Sequence, residues 1–307
     1  MRSLTELIYG SRNADGILPE SFSLPDDTEE GKPRFADGAM DGIMIYHMGH
    51  TPLNDEEKNE LLSLLKLAGN GKFDEAEGGF TLFCAKHRVV SIIDDIQRCI
   101  VDNKDDLDPN NMYRFAVNLL TKSADKECLK VGLSILELFD AYQDENLADV
   151  IRTVGLSDEF TIFSVFNMRN WPNAEKEILD LAKKVRGWGR IHCVDFISAD
   201  DEETRSWLLY NGVDNDVVAA YSAMPVYEKT GMEDLINKED ELSYEQMHAI
   251  LAIADALLDE GPVSGISAFE DPKDFLNRII NKTQAGYDFS EDDIRIIEAL
   301  KEWNPQG

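Results

Sequence analysis

From Asn54 onward, apolar residues recur at the spacing of a helix rather than a strand. In "NDEEKNELLSLLKLAG", Leu61, Leu62, Leu64, Leu65 and Leu67 form a broad stripe suited to burial against a neighbour. Asn54 is placed to cap this helix, Glu57 three residues later completes a capping box, and Gly69 ends it. Further helices are predicted near 73–86, 88–102, 110–122 and 126–142, each bounded by polar residues or by Gly and Pro. The second half repeats the pattern in segments such as "NAEKEILDLAKKVRG", "SYEQMHAILAIADALLDEG" and "SEDDIRIIEALKEW", many opening on Ser, Asp or Asn. More than a dozen short amphipathic helices joined by brief turns predict an all-α chain of the α-solenoid kind.

Residues 11–52 differ. They hold Pro19, Pro25, Pro33 and Pro52, several glycines and the acidic run "PDDTEEG". The apolar centre Gly42-Ile43-Met44-Ile45 is the only credible strand, so this region reads as an irregular arm with at most a small β-hairpin. The expected plan is an N-terminal arm over 1–53 and a helical-repeat domain over 54–307.

Shifting the chain by 57 residues lays Gly132 on Gly189 and Gly155 on Gly212, and brings "LADVIRTVGLSDEFTIF" onto "TRSWLLYNGVDNDVVAA". No strict period accompanies these matches. "SADKECLKVGLSILELF" resembles the second helix of a HEAT or armadillo unit, with Asp125 ahead of the helix and Lys130, Val131 and Gly132 within it. The resemblance covers about the last two thirds of the chain. It implies stacked helix pairs that present an extended concave binding surface. "GWGRIHCVDFISADDEETRSWLLYNGVDN" also resembles uncharacterised bacterial helical proteins, some carrying the label limonene hydroxylase, which implies an oxidative cofactor.

Charge changes the functional picture. With 60 Asp and Glu against 30 Lys and Arg, the formal charge is -30. A field of that sign repels phosphates, so nucleic acid and anionic membranes are not expected partners, whereas a basic protein or peptide is. An immunity or inhibitor protein that neutralises a basic toxin is one such form. Hydrophobic residues make up 43% of the chain, enough for a packed core. No apolar run approaches the roughly 18 residues of a membrane helix, and the start lacks a small-residue cleavage site, so a cytoplasmic location is expected.

Chemistry is sparse. Cys84, Cys99, Cys128 and Cys193 form no C-x-x-C pair and sit in apolar helical patterns, where cysteine behaves as a small core residue. "GWGRIH" begins as a dinucleotide loop would, but His192 replaces the third glycine and a helix, not a strand, precedes it. "DNKDDLDPNNMYRF" spaces Asp106, Asp108 and Asn110 like a calcium loop, but Asn111 and Val117 stand where Gly and Glu are required, which leaves a helix-capping loop. No cofactor is expected. His87, His192 and His248 read as packed histidines.

"YHMGH" contains the His-x-Gly-His pattern of nucleotidyl-transferring enzymes, which place it where a strand of a parallel sheet meets a helix. No such sheet is predicted here, so the motif reads as a polar turn. Asp41, His47 and His50 remain the candidate catalytic residues, as a metal site lacking an evident fourth ligand. Trp171, Trp188 and Trp207 are candidates for a peptide-binding ladder. The leading expectation is a non-enzymatic scaffold. The alternative is a metal-dependent enzyme working through His47 and His50.

Overall fold

The structure, a computed structural model, describes residues 2–25, 34–48, 52–238, 242–261 and 263–304. Among the described residues it is all-α, with helices and short 3-10 turns and no strand. It divides into two compact units, Met1–Cys193 and Val194–Gly307.

The N-terminal unit opens with a helix in the expected arm, α1 (Leu4–Ser11), fixed at its start by a capping box between Ser3 and Glu6. The next, α2 (Ala39–His47), corrects the expected β-hairpin: the run taken for a strand is helical. A short apolar run does not separate a strand from a packed helix by its period, and tertiary contacts decide. Gly38 turns the chain in at a φ of 77° and accepts from the Gly42 amide at 2.9 Å. No L-residue with a Cβ would fit there, because that atom would lie 2.5 Å from the Asp158 carbonyl oxygen.

There follow α3 (Asp55–Gly69), α4 (Phe73–Cys84), α5 (Val89–Asp102) and α6 (Pro109–Lys122), close to the predicted bounds, and α7 (Lys126–Leu136), which ends well before the predicted 142, with a separate 3-10 turn at Ala141–Gln143. The segment read as a capping loop does cap: Asp108 accepts from the Asn110 amide and Pro109 opens α6. Next come α8 (Glu145–Val154), α9 (Thr161–Met168), α10 (Ala174–Ala182) and α11 (Trp188–Phe196).

The core centres on α7, in which every residue from Cys128 to Leu136 is buried. It packs against α4, α5, α6 and α9. Gly132 permits the approach to α6, since a Cβ there would lie 2.9 Å from the Ala116 carbonyl oxygen. Helix α1 lies on α6 and α8, and α2 lies on α5.

The C-terminal unit comprises α12 (Glu202–Asn211), α13 (Ala220–Thr230), α14 (Met232–Asn237), α15 (Tyr244–Leu258), α16 (Pro272–Lys282) and α17 (Glu291–Glu302). Its axis is α15, which contacts α12, α13, α16 and α17 and buries Met247, Ile250, Leu251, Ile253 and Leu257. Asp201, Ser243, Asp271 and Ser290 cap four of these helices, as their positions before apolar runs foretell. Among the described residues no helix is long and apolar enough to cross a membrane.

Candidate functional site

A lysine sits in the middle of the largely buried helix α7. Lys130 is fully buried among the apolar residues of α7, where an ammonium survives only if it is paired. Its Nζ lies 2.6 Å from Asp41 Oδ2, 2.9 Å from Glu127 Oε1 and 2.5 Å from Glu159 Oε1. Three protons meet three carboxylates, so the group is saturated. Arg88, at the cap of α5, joins the same network: its Nε donates to Asp41 Oδ1 at 2.8 Å, and its Nη2 lies 3.2 Å from Glu127 and 3.5 Å from Glu159.

Backbone donors complete the carboxylates. The Val89 amide at the start of α5 donates to Glu127 Oε2 at 2.8 Å, and the Gly38 amide donates to Glu159 Oε2 at 2.9 Å. Four separate stretches of chain are thereby tied to one point: α2, the α5 cap, α7 and the turn before α9.

The electrostatics exclude nucleophilic use of Lys130. Burial alone would lower its pKa, but Asp41, Glu127 and Glu159 outweigh burial and hold it above the ordinary lysine value. A lysine nucleophile or base needs the opposite shift. Burial would likewise raise the Asp41 carboxyl, yet Lys130 and Arg88 hold it below the usual range. The nearby thiols are inert for a related reason, since burial pushes Cys84 up and Cys128 up to about 12.

Beside the cluster is a recess of about 630 Å³. Arg88, Glu127 and Glu159 line it, together with Asp125 and Lys126 at the start of α7 and the apolar Leu4, Leu7, Phe35 and Met40.

On its other side α2 meets a ring stack. Gly42 lies flat against Trp188, where a Cβ would come within 2.1 Å of the indole, and Tyr46 stacks on Trp188 and His192 at centroid separations of 6.1 and 6.2 Å. His192 is 1% exposed, and neither ring nitrogen has a hydrogen-bond partner. It is packed, as expected, but makes no hydrogen bond. Burial drives its pKa down to about 4, with Asp41 opposing only in part, so the ring is neutral.

The glycines of "GWG" have a packing reason. A Cβ on Gly187 or Gly189 would lie 2.2 or 2.6 Å from a carboxylate oxygen of Asp158, which sits against the start of α11. A carboxylate is favoured at a helix N-terminus.

Of the sequence candidates, Asp41 is buried and spends both oxygens on Arg88 and Lys130, whereas His47 is exposed on a different face of α2. His50 lies outside the described residues. Among the described residues no group of three or more His, Cys, Asp and Glu is arranged to share a metal ion. Trp171 is buried with the Arg152 guanidinium 5.2 Å above its ring, Trp188 is buried against Gly42, and Trp207 is half-buried in the C-terminal unit.

His248 also departs from expectation. It is half exposed on α15, with Nδ1 2.6 Å from Asp293 Oδ1. Asp293 is wholly buried and accepts as well from Tyr244 and from the amide and hydroxyl of Ser290. Burial would raise that carboxyl, but these donors, His248 foremost, hold it low.

Arg88, Glu127 and Glu159 escaped sequence reasoning. The signal that could have found the cluster is "CLKVGLSIL", a cation enclosed by apolar neighbours on a helix with no polar face. No protein-family model, curated protein or solved structure matches the chain.

Proposed function

We propose that this protein is a non-enzymatic interaction scaffold of the HEAT or armadillo type, acting in the cytoplasm, whose acidic surface holds a basic protein or peptide. Contacts between successive helices, such as α3 with α4, α6 with α7, α8 with α9 and α12 with α13, support the helical-repeat reading.

The observation that carries the binding reading is the uneven charge. Residues 194–307 hold 26 Asp and Glu against 8 Lys and Arg, compared with 34 against 22 in residues 1–193. Several of those few cations are spent internally. Lys229 donates to the Val194 and Asp195 carbonyls, Arg278 pairs with Glu233 and Asp274, and Arg295 pairs with Asp255. Asp200, Glu202, Glu203, Glu291 and Asp292 face solvent. A field of this kind speeds encounter with a cationic partner and rejects nucleic acid.

The test is binding of a labelled lysine-rich peptide to the full chain, measured at 50 mM and 500 mM NaCl. Binding that weakens at least tenfold with salt, and weakens again in Asp200→Asn/Glu202→Gln/Glu203→Gln, is the expected result. No binding at low salt overturns the reading. So does a stoichiometric metal ion in the purified protein that is lost in His47→Ala, which would favour an enzyme using His47 and His50.

A further inference from the structure

One pair of exposed rings in the C-terminal unit is held rigid. Tyr244, 38% exposed, and His248, half exposed, stand one turn apart on α15, with ring centroids 6.1 Å apart and planes 22° from parallel. One carboxylate tethers both: the Tyr244 hydroxyl donates to Asp293 Oδ2 at 2.9 Å, and His248 Nδ1 lies 2.6 Å from Oδ1. Asp293 is itself buried and fixed by the amide and hydroxyl of Ser290, so neither ring turns without breaking a bond to a charged acceptor. Ordering exposed side chains is a cost of binding, and here the fold has already met it. Tyr210 is exposed in the same unit, but among the described residues no hydrogen bond or ring contact fixes it.

The electrostatics favour a cation. A carboxylate that accepts from both rings polarises them, adding electron density to faces that already attract positive charge. Elsewhere the chain supplies that charge itself, with an arginine 4.1 to 5.8 Å from the ring centres of Tyr9, Phe73, Phe166, Trp171 and Phe275. Among the described residues no cation lies over Tyr244. The cations of the unit are accounted for. Arg295 pairs with Asp255, and Arg205, Lys229, Arg278 and Lys282 bond to carbonyls or carboxylates away from α15 and α17. Lys301 lies near the opposite end of α17 from Asp293, and Lys238 and Lys273 lie outside both helices. Glu245, Glu291 and Asp292, by contrast, are exposed in the first turns of α15 and α17, the same ends that hold Tyr244 and Asp293.

We infer that the Tyr244–His248 pair grips the basic partner through an arginine, whose guanidinium stacks on the rings and is drawn there by Glu245, Glu291 and Asp292. Arginine is selected over lysine because its planar, weakly hydrated cation stacks on aromatic faces, whereas an ammonium is a strongly hydrated point charge. This rests on the scaffold reading above and adds where on the C-terminal unit the partner docks and which side chain it presents.

The probes are fluorescein-labelled acetyl-(Arg-Gly)4-amide and acetyl-(Lys-Gly)4-amide, equal in charge, titrated into the full chain at pH 8 and 50 mM NaCl. The arginine peptide should bind about fivefold tighter, a difference of cation–π size. Tyr244→Leu/His248→Leu should erase that preference and leave the lysine peptide bound within about twofold, which a misfolded chain would not do. His248→Trp, with a larger ring, should raise the preference about threefold, a gain that misfolding cannot imitate. Binding of neither peptide to the unaltered protein overturns the scaffold reading itself. Equal binding of the two, or a preference that survives Tyr244→Leu/His248→Leu or falls instead in Tyr210→Leu, overturns the ring pair and spares the scaffold. If the double variant loses the lysine peptide as well, a preference that His248→Trp fails to raise overturns the ring pair.

Discussion

Lys130 and His192 represent two opposite ways of carrying an ionisable side chain in a core. Lys130 is charged and completely paired, so its removal strands carboxylates rather than deleting a weak bond. Lys130→Met should lower unfolding free energy by about 3–5 kcal/mol, the range for breaking a buried ion pair, as read from urea unfolding at pH 7. A loss below about 1 kcal/mol would show that the ammonium is dispensable to the junction of α2, α5 and α7. His192 is neutral and unpaired, facing Asp41 of α2 and the rings of Tyr46 and Trp188. Its folded pKa of about 4 lies below the ordinary 6.5, so the unfolded chain takes up a proton first. The stability that the neutral ring contributes is full above pH 6.5 and is lost as pH falls toward 4. Between pH 7 and pH 5 the unaltered protein should therefore lose about 2 kcal/mol relative to His192→Phe, which keeps the stack and cannot titrate. Parallel pH dependence in the two proteins would refute this.

Elements were legible where local chemistry and packing agree, and illegible where distant partners decide. The α3 stripe, its Asn54–Glu57 capping box and the Asp108-Pro109 start of α6 are all written within four residues of where they act. Helix α2 is written elsewhere. Its run Gly42–Ile45 has no period that excludes a strand, and what makes it a helix is Asp41 reaching Arg88 and Lys130 while Gly42 seats on Trp188. Those partners stand 47, 89 and 146 positions away along the chain. The charge cluster was hidden for the same reason, because Asp41, Arg88, Glu127 and Glu159 look like surface residues one at a time. Only Lys130, enclosed by apolar neighbours, betrayed it. The histidines show the converse error. His248, on a helix rich in Ile, Leu and Ala, reads as packed, yet it faces outward because buried Asp293 of α17 holds its Nδ1.

At the scale of the whole molecule, the acidity that attracts a basic partner also opposes folding. Like charges brought together on a compact surface repel, and the repulsion is greatest where cations are fewest. That place is the C-terminal unit, with 26 acidic residues against 8 basic ones. Salt screens exposed charges over a distance of about 10 Å at 0.1 M, while the N-terminal cluster around Lys130 is buried and feels little of it. Raising NaCl from 20 to 300 mM should therefore stabilise the chain unevenly. Peptide-resolved hydrogen exchange should slow more in α12, α15 and α17 than in α6 and α7 over that range, and the thermal midpoint should rise by about 2–4 °C for each kcal/mol gained. A lysine-rich peptide should reproduce the slowing in α12 and α17 at low salt, because a ligand that binds only the folded state adds its binding free energy to stability. Uniform slowing across both units, or slowing confined to α6 and α7, would mean that charge repulsion does not set the stability of the C-terminal unit. The case for that unit as a platform for a basic partner would then lose its physical basis.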